Sequence, residues 1–267
     1  MASGRPSRWP IRLLIVFVIA IPVGLGFLAY RMRGGTMAQL LPDAAITPLA
    51  ATPVEAAPTP TVTPIASRTP LPALDQSDAF VRALVEALSS RPAWATWLAT
   101  EGLARRFVVV VDNVAEGVAP TKHVTVLRPK EAFQATGRKG SLVVDPASYR
   151  RYDGVAEVFA SLDTKGTAEA YRRLRPLLIE AYKDLGYPDR DFDVTLAAAI
   201  DRLLATPVPR GEVELRQAVK GYKLADPGLQ SLAAAQRQFL RMGPDNMEKV
   251  QKKLRELREE IGLPKKP

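Results

Sequence analysis

Residues 166–186 read GTAEAYRRLRPLLIEAYKDLG, and the period of this stretch decides the fold class. Tyr171, Leu174, Leu178, Tyr182 and Leu185 recur at steps of three and four, which places them along one side of an α-helix. Pro176 falls inside the pattern. Its ring clashes with the preceding turn, so the expectation is a helix kinked or split in two at that point. Gly186 followed by Pro188 marks the end.

Working outward, the same period recurs on both sides. Downstream, Asp191 is placed to cap a helix carrying Val194, Leu196, Ile200, Leu203 and Leu204, stopped before Pro207. Two closing helices are expected, Ser231–Met242 and Asn246–Ile261, broken at Gly243-Pro244. Upstream, Asp145-Pro146 opens a helix through Tyr149, Tyr152, Ala156 and Phe159. Leu103–Val114 fits either a β-branched strand or a helix. The helix is favoured because Leu103, Phe107, Val110 and Val114 share one face. Before it, Pro92 starts a short helix with Trp94, Trp97 and Leu98. Ser77 or Asp78 caps another, whose face reads Phe80, Leu84 and Leu88 with Val81 and Val85 beside it.

Two stretches break the helical period. Phe133 and Ala135, then Gly137-Arg138-Lys139-Gly140, then Leu142–Val144, read as a hairpin. Glu212–Tyr222 alternates Val213, Leu215 and Val219 with polar residues and is expected to join the same sheet. The fold class is therefore α+β, a mainly helical globular domain with a small antiparallel sheet.

The N-terminal quarter is built differently. Leu13–Tyr30 (LLIVFVIAIPVGLGFLAY) carries no charge over 18 residues. As a helix it spans roughly 27 Å, close to the roughly 30 Å core of a bilayer. The run is longer than a cleaved signal's apolar region, and Tyr30-Arg31-Met32-Arg33 is a poor cleavage site. Arg5, Arg8 and Arg12 precede it and Arg31 and Arg33 follow, which with the free amino terminus turns the short arm towards the cytoplasm. From Thr36 to Pro72, eight prolines alternate with Ala and Thr, a composition that forms a semi-extended tether of roughly 35 Å reach as a coil. The expected organisation is a cytoplasmic arm at 1–12, a transmembrane helix at 13–30, an Ala/Pro/Thr-rich disordered linker at 31–72 and an extracytoplasmic globular domain at 73–267.

Composition narrows the chemistry. The chain of 267 residues has no Cys and one His, which excludes disulfides, thiolate metal sites, cysteine nucleophiles and paired-His zinc motifs. No phosphate loop or serine elbow occurs. Asp189, Asp191 and Asp193 resemble the opening of a calcium loop, but Val194 and Ile200 stand where Gly and Glu are needed, so the acids read as a helix N-terminus. No metal and no cofactor are expected. Glu180 and Asp184, one helical turn apart, could supply the paired carboxyls of a glycan hydrolase, the competing functional class. His123 reads as an ordinary loop residue. Of the net charge of +9, the residues from 73 onward hold 31 Lys/Arg against 26 Asp/Glu, a modest excess; nucleic acid is not an expected partner. Arg150, Arg151, Arg172 and Arg173 are the candidate contacts for an anionic partner, because guanidinium forks suit phosphate and carboxylate groups. Met247, Val250, Leu254, Leu257 and Ile261 form a short heptad-like seam. It is better matched to the domain's own core than to self-association.

Several strings carry a resemblance: Ser148–Tyr152 (SYRRY), Glu180–Gly186 (EAYKDLG), Tyr222–Pro227 (YKLADP) and Gln236–Pro244 (QRQFLRMGP). Together they resemble a family of bacterial single-pass inner-membrane proteins defined only as a domain of unknown function, over most of Leu71–Ile261. Gln230 stands where that pattern has an acid. The resemblance implies a Gram-negative envelope and a periplasmic domain, and it supplies no activity, catalytic residue or cofactor. The expected function is a membrane-tethered periplasmic binding or scaffold domain, held in the bilayer by 13–30 and contacting an envelope protein or an anionic wall or lipid component. Tyr149–Tyr152 and Leu240–Pro244 are where a groove is expected.

Overall fold

A computed structural model describes residues 70–138, 140–219 and 221–265. The span read at 13–30, and the tether up to residue 69, lie outside the described residues; among the described residues no helix is long and apolar enough to cross a membrane. The domain is mainly helical with one four-stranded antiparallel sheet. In chain order the elements are α1 (Asp78–Val85), α2 (Pro92–Leu98), α3 (Leu103–Ala115), β1 (Ala135–Arg138), β2 (Ser141–Val144), α4 (Pro146–Arg150) and α5 (Asp153–Ala160). They continue with α6 (Thr164–Asp184), α7 (Phe192–Leu204), β3 (Glu214–Gln217), β4 (Tyr222–Leu224), α8 (Pro227–Ser231), α9 (Ala234–Leu240) and α10 (Pro244–Ile261).

The long α6 and α7 form the centre, with α3 packed on both from one direction and α10 on both from the other. The 166–186 reading holds in type and in face: Tyr171, Leu174, Leu178 and Tyr182 are buried. Pro176 does not split the helix, which runs unbroken for 21 residues. The proline is solvent-exposed, so water can satisfy the carbonyl it leaves unpaired while the opposite, packed face holds the helix together. Leu185 departs from the expected stripe; at the C-terminal end it is 39% exposed.

Elsewhere the type is as read and the buried face is turned. In α3, Ala104, Val108, Val111 and Val114 are buried, together with Asp112, while Phe107 is 41% exposed and meets Phe192 edge-on. Four consecutive valines offer a hydrophobe to every face, so periodicity fixes the helix but not its rotation. In α1 the buried pair is Val81 and Val85, and Phe80, Leu84 and Leu88 only flank the core. The seam of α10 turns inward: Met247, Val250, Leu254 and Leu257 are buried.

Two stretches expected as single elements are each two, and a third is shorter than expected. The helix opened by Asp145 stops at Arg150 and restarts at Asp153. The helix expected at Ser231–Met242 is the shorter α9, and α8 precedes it as a further short helix. Glu212–Tyr222 folds back on itself: Ala218 N–H donates to the Gly221 carbonyl at 3.0 Å, and β4 returns alongside β3. Val219, expected to face inward, is fully exposed beside this turn.

Polar side chains, buried or half-buried, close the helix ends. Gln251 is 4% exposed and donates to the Leu203 and Thr206 carbonyls at the end of α7. Arg202 reaches the Ala115 carbonyl at the end of α3, and Arg82 that of Leu98 at the end of α2. Each satisfies carbonyls that a helix terminus leaves without an internal partner.

Candidate functional site

Asp145 caps α4 by accepting from Ala147 N–H at 2.7 Å, and Pro146 takes the first helical position. This geometry buries Ser148 completely. Its hydroxyl accepts from Gln134 N–H at 2.7 Å and donates to the Gln134 carbonyl at 2.9 Å, tying α4 to the chain that enters β1. Arg151 donates to the Ser148 and Glu131 carbonyls, and its guanidinium lies 5.6 Å from the Phe133 ring centre and 5.5 Å from that of Tyr152.

The 240–246 segment locks onto this turn. Gly243, at φ 78°, lies so close to Tyr149 that a Cβ would stand 2.4 Å from its Cγ. Only glycine combines that backbone with that approach. Asn246, 3% exposed, donates through Nδ2 to the Tyr149 carbonyl, the Asp153 carboxylate and the Met242 carbonyl at 3.2, 2.8 and 3.0 Å. Gln238 reaches the Tyr152 hydroxyl at 3.4 Å. Burial pushes the Tyr149 phenol above its usual pKa. Tyr149–Tyr152 and Leu240–Pro244 thus come together as expected, but as an interlock: the Gly243 backbone packs on the Tyr149 ring, and Asn246 bonds both the Tyr149 and the Met242 carbonyls.

The EAYKDLG string has a similar role. Tyr182 is 1% exposed, with its hydroxyl 3.0 Å from Thr195 Oγ1. Nearby, Asp112 is buried in α3 and its Oδ1 has no partner among the described residues. Burial first, then repulsion from Glu116, raises its pKa, while Arg190 and the Tyr182 hydroxyl pull the other way. Asp184 pairs with Arg105, which also holds Asp75 at 2.8 Å. Glu180 is exposed on α6. In YKLADP, Asp226 caps α8 through Gly228 and Leu229 N–H, and Gln230 Oε1 accepts from Leu224 N–H at 3.0 Å. An acid at position 230 could accept that same bond, so Gln here is no chemical departure at this contact.

The four strings are therefore parts of one scaffold, and comparison with known sequences agrees on where it lies. A family model described as a protein of unknown function (DUF3014) matches residues 103–258. The chain belongs to that family. Within the DUF3014 match lie the elements from α3 to nearly the end of α10, including the Tyr149–Gly243 interlock. No curated protein and no solved structure matches the chain.

The four candidate arginines of this DUF3014 domain lie in two places, the C-terminal end of α4 and the middle of α6. Arg150 ends α4 and is exposed. Arg151 follows it and is braced as described above. On α6, Arg172 donates to the Glu260 carbonyl at 2.6 Å, and Arg173 lies over the Phe80 ring at 5.9 Å. Arg175, their neighbour, is held by Asp193 at 2.9 Å. Asp191 caps α7 through Asp193 N–H, and Asp193 also accepts from Tyr171. Among the described residues no group of three His, Cys, Asp or Glu side chains is placed to hold a metal. His123 is exposed in the loop after α3.

Asn246 and Asp112 were missed at sequence level. Asp112 left a trace: an acid four residues after Val108, one turn along the same face of an apolar helix. Two of the three partners of Asn246 lie almost a hundred residues away in the chain, which no local pattern reveals.

Proposed function

We propose that this protein is a membrane-tethered binding or scaffold domain of the bacterial envelope. In this reading residues 13–30 span the inner membrane, residues 31–72 form a stalk, and the folded domain faces the periplasm. What supports it is the use of the motif side chains. Ser148 ties α4 to the chain entering β1, while Gly243 and Asn246 lock the start of α10 onto α4 and α5, leaving recognition to the outer surface. Arg150 is exposed there and, with Arg151, Arg172 and Arg173, is the proposed contact for an anionic envelope component.

The competing hydrolase places Glu180 as its acid, with Asp184 as the second carboxylate. In the fold, Asp184 is paired with Arg105, so the second carboxylate of that pair is already held by a guanidinium. Incubating the detergent-solubilised full chain with isolated wall sacculi separates the two readings. Binding alone predicts no fragment release, and no difference between the parent and Glu180→Gln. Release that Glu180→Gln abolishes would replace the binding reading with the hydrolase.

A further inference from the structure

The positive charge of the folded part is concentrated at the sheet. Residues 121–144 and 210–224 hold nine Lys/Arg against three Asp/Glu, whereas the rest of 73–267 holds 22 against 23. Strand register sorts these charges by face. Leu142, Leu215 and Leu224 pair in one row with Gly137, and Leu215 is buried, so this face turns inward. The next row lies on the opposite face. There Arg138 pairs with Ser141 and Arg216 with Lys223. Continuing the Leu142–Leu215 register by one step sets Ser141 beside Arg216.

Arg138, Arg216 and Lys223 thus form one transverse row on the outer face, about 14 Å long at the normal strand spacing. All three are exposed. The ion pairs among the described residues include none of them. Two like charges directly opposite in a ladder are destabilising, so the sequence keeps Arg216 against Lys223 at a cost to the isolated domain. Glu214, two residues from Arg216 and on the same face, is the single acid on the strands. Both hairpin turns lie at the end nearest the basic row, where Val219 is fully exposed.

We infer that this outer face docks on an anionic phospholipid surface, with the Arg138–Arg216–Lys223 row against headgroups and the Val219 tip at the interface. The chemistry favours lipid over other polyanions. The row is flat and shallow, unlike a pocket for a small anion, and none of its residues is aromatic, whereas single-stranded nucleic acid is gripped by stacking platforms. A basic patch edged by an apolar tip is the pattern that an anionic bilayer attracts. This rests on the tethered reading: a span at 13–30 and a Pro-rich stalk hold the domain near a bilayer, at roughly 35 Å for a coil and at most about 115 Å if extended.

The chain has no cysteine, so Val219→Cys accepts an environment-sensitive fluorophore at one position, and Val194→Cys, on exposed α7 surface, serves as the control. The full chain is reconstituted into vesicles of phosphatidylcholine alone or mixed with phosphatidylglycerol. Docking predicts a blue shift and loss of aqueous-quencher access at position 219, only with phosphatidylglycerol, reversed at 1 M salt where the screening length is about 3 Å; position 194 stays unchanged. Lys223→Glu should abolish the shift while raising the melting temperature, because it sets a carboxylate opposite Arg216. A role confined to fold stability would not move the two readouts in opposite directions. No lipid-dependent shift at 219, or equal shifts at 219 and 194, overturns the inference. Failure of the chain to float with phosphatidylcholine vesicles overturns the tether instead.

Discussion

Gly243 and Asp112 show how single positions carry the fold. At Gly243 a methyl group would collide with the Tyr149 ring at a backbone angle that side chains rarely adopt. Gly243→Ala should therefore cost about 2–4 kcal/mol of stability, read as a lower urea midpoint; an unchanged midpoint would remove the interlock from the account. Asp112 acts through protons. Burial raises its native pKa above the unfolded value, so the folded state holds the proton more tightly. Its contribution to stability then falls as pH rises from the unfolded carboxyl range to the raised native value, and stays unfavourable above it. Asp112→Asn should gain on the parent across that window, measured as the difference in urea midpoints from acid to neutral pH. A constant difference would place the carboxylate in solvent. The Gly243-Pro244 break was legible because Gly and Pro punctuate helices by local chemistry. The Tyr149 contact was not, because it joins residues distant in sequence.

Among the elements, helices were legible and their rotations were not always so. The caps Asp145 and Asp191 stand at their expected places because an Asp side chain bonds to N–H groups two residues on, within one turn. The face of α3 was misread because its valine run is apolar all round. The Glu212–Tyr222 strand was misread because alternation continued through the residues that form the turn before β4. α10 is the element where burial decides function most directly. Leu254 is 7% exposed within a helix that packs on α5, α6 and α7. Leu254→Glu should unfold the domain, with loss of the cooperative far-UV transition, because an unpaired carboxylate would be buried. A variant that stays folded and converts a dimer to a monomer in sedimentation would instead make the seam an interface between copies.

For the whole molecule, composition separates an apolar run at 13–30 and a Pro-rich stretch from the folded domain, and the domain separates a near-neutral helical body from a basic sheet region. The first division needs only local counting, and the mainly helical fold with its small sheet followed from periodicity. The second was invisible in the overall excess of 31 over 26, because charges from two distant hairpins meet only when the register brings Ser141 beside Arg216. The arginines chosen from sequence clusters illustrate the same limit: adjacency in the chain marked Arg172 and Arg173, whereas the fold engages them with Glu260 and Phe80. Tethering is the claim on which envelope function and lipid docking both depend. Its most direct test expresses the full chain in a Gram-negative cell, washes the membranes with carbonate and treats spheroplasts with protease. The account predicts that the chain stays in the washed inner membrane and that protease removes the folded domain. Recovery in the soluble cytosolic fraction, or a domain protected until the inner membrane is broken, would contradict it.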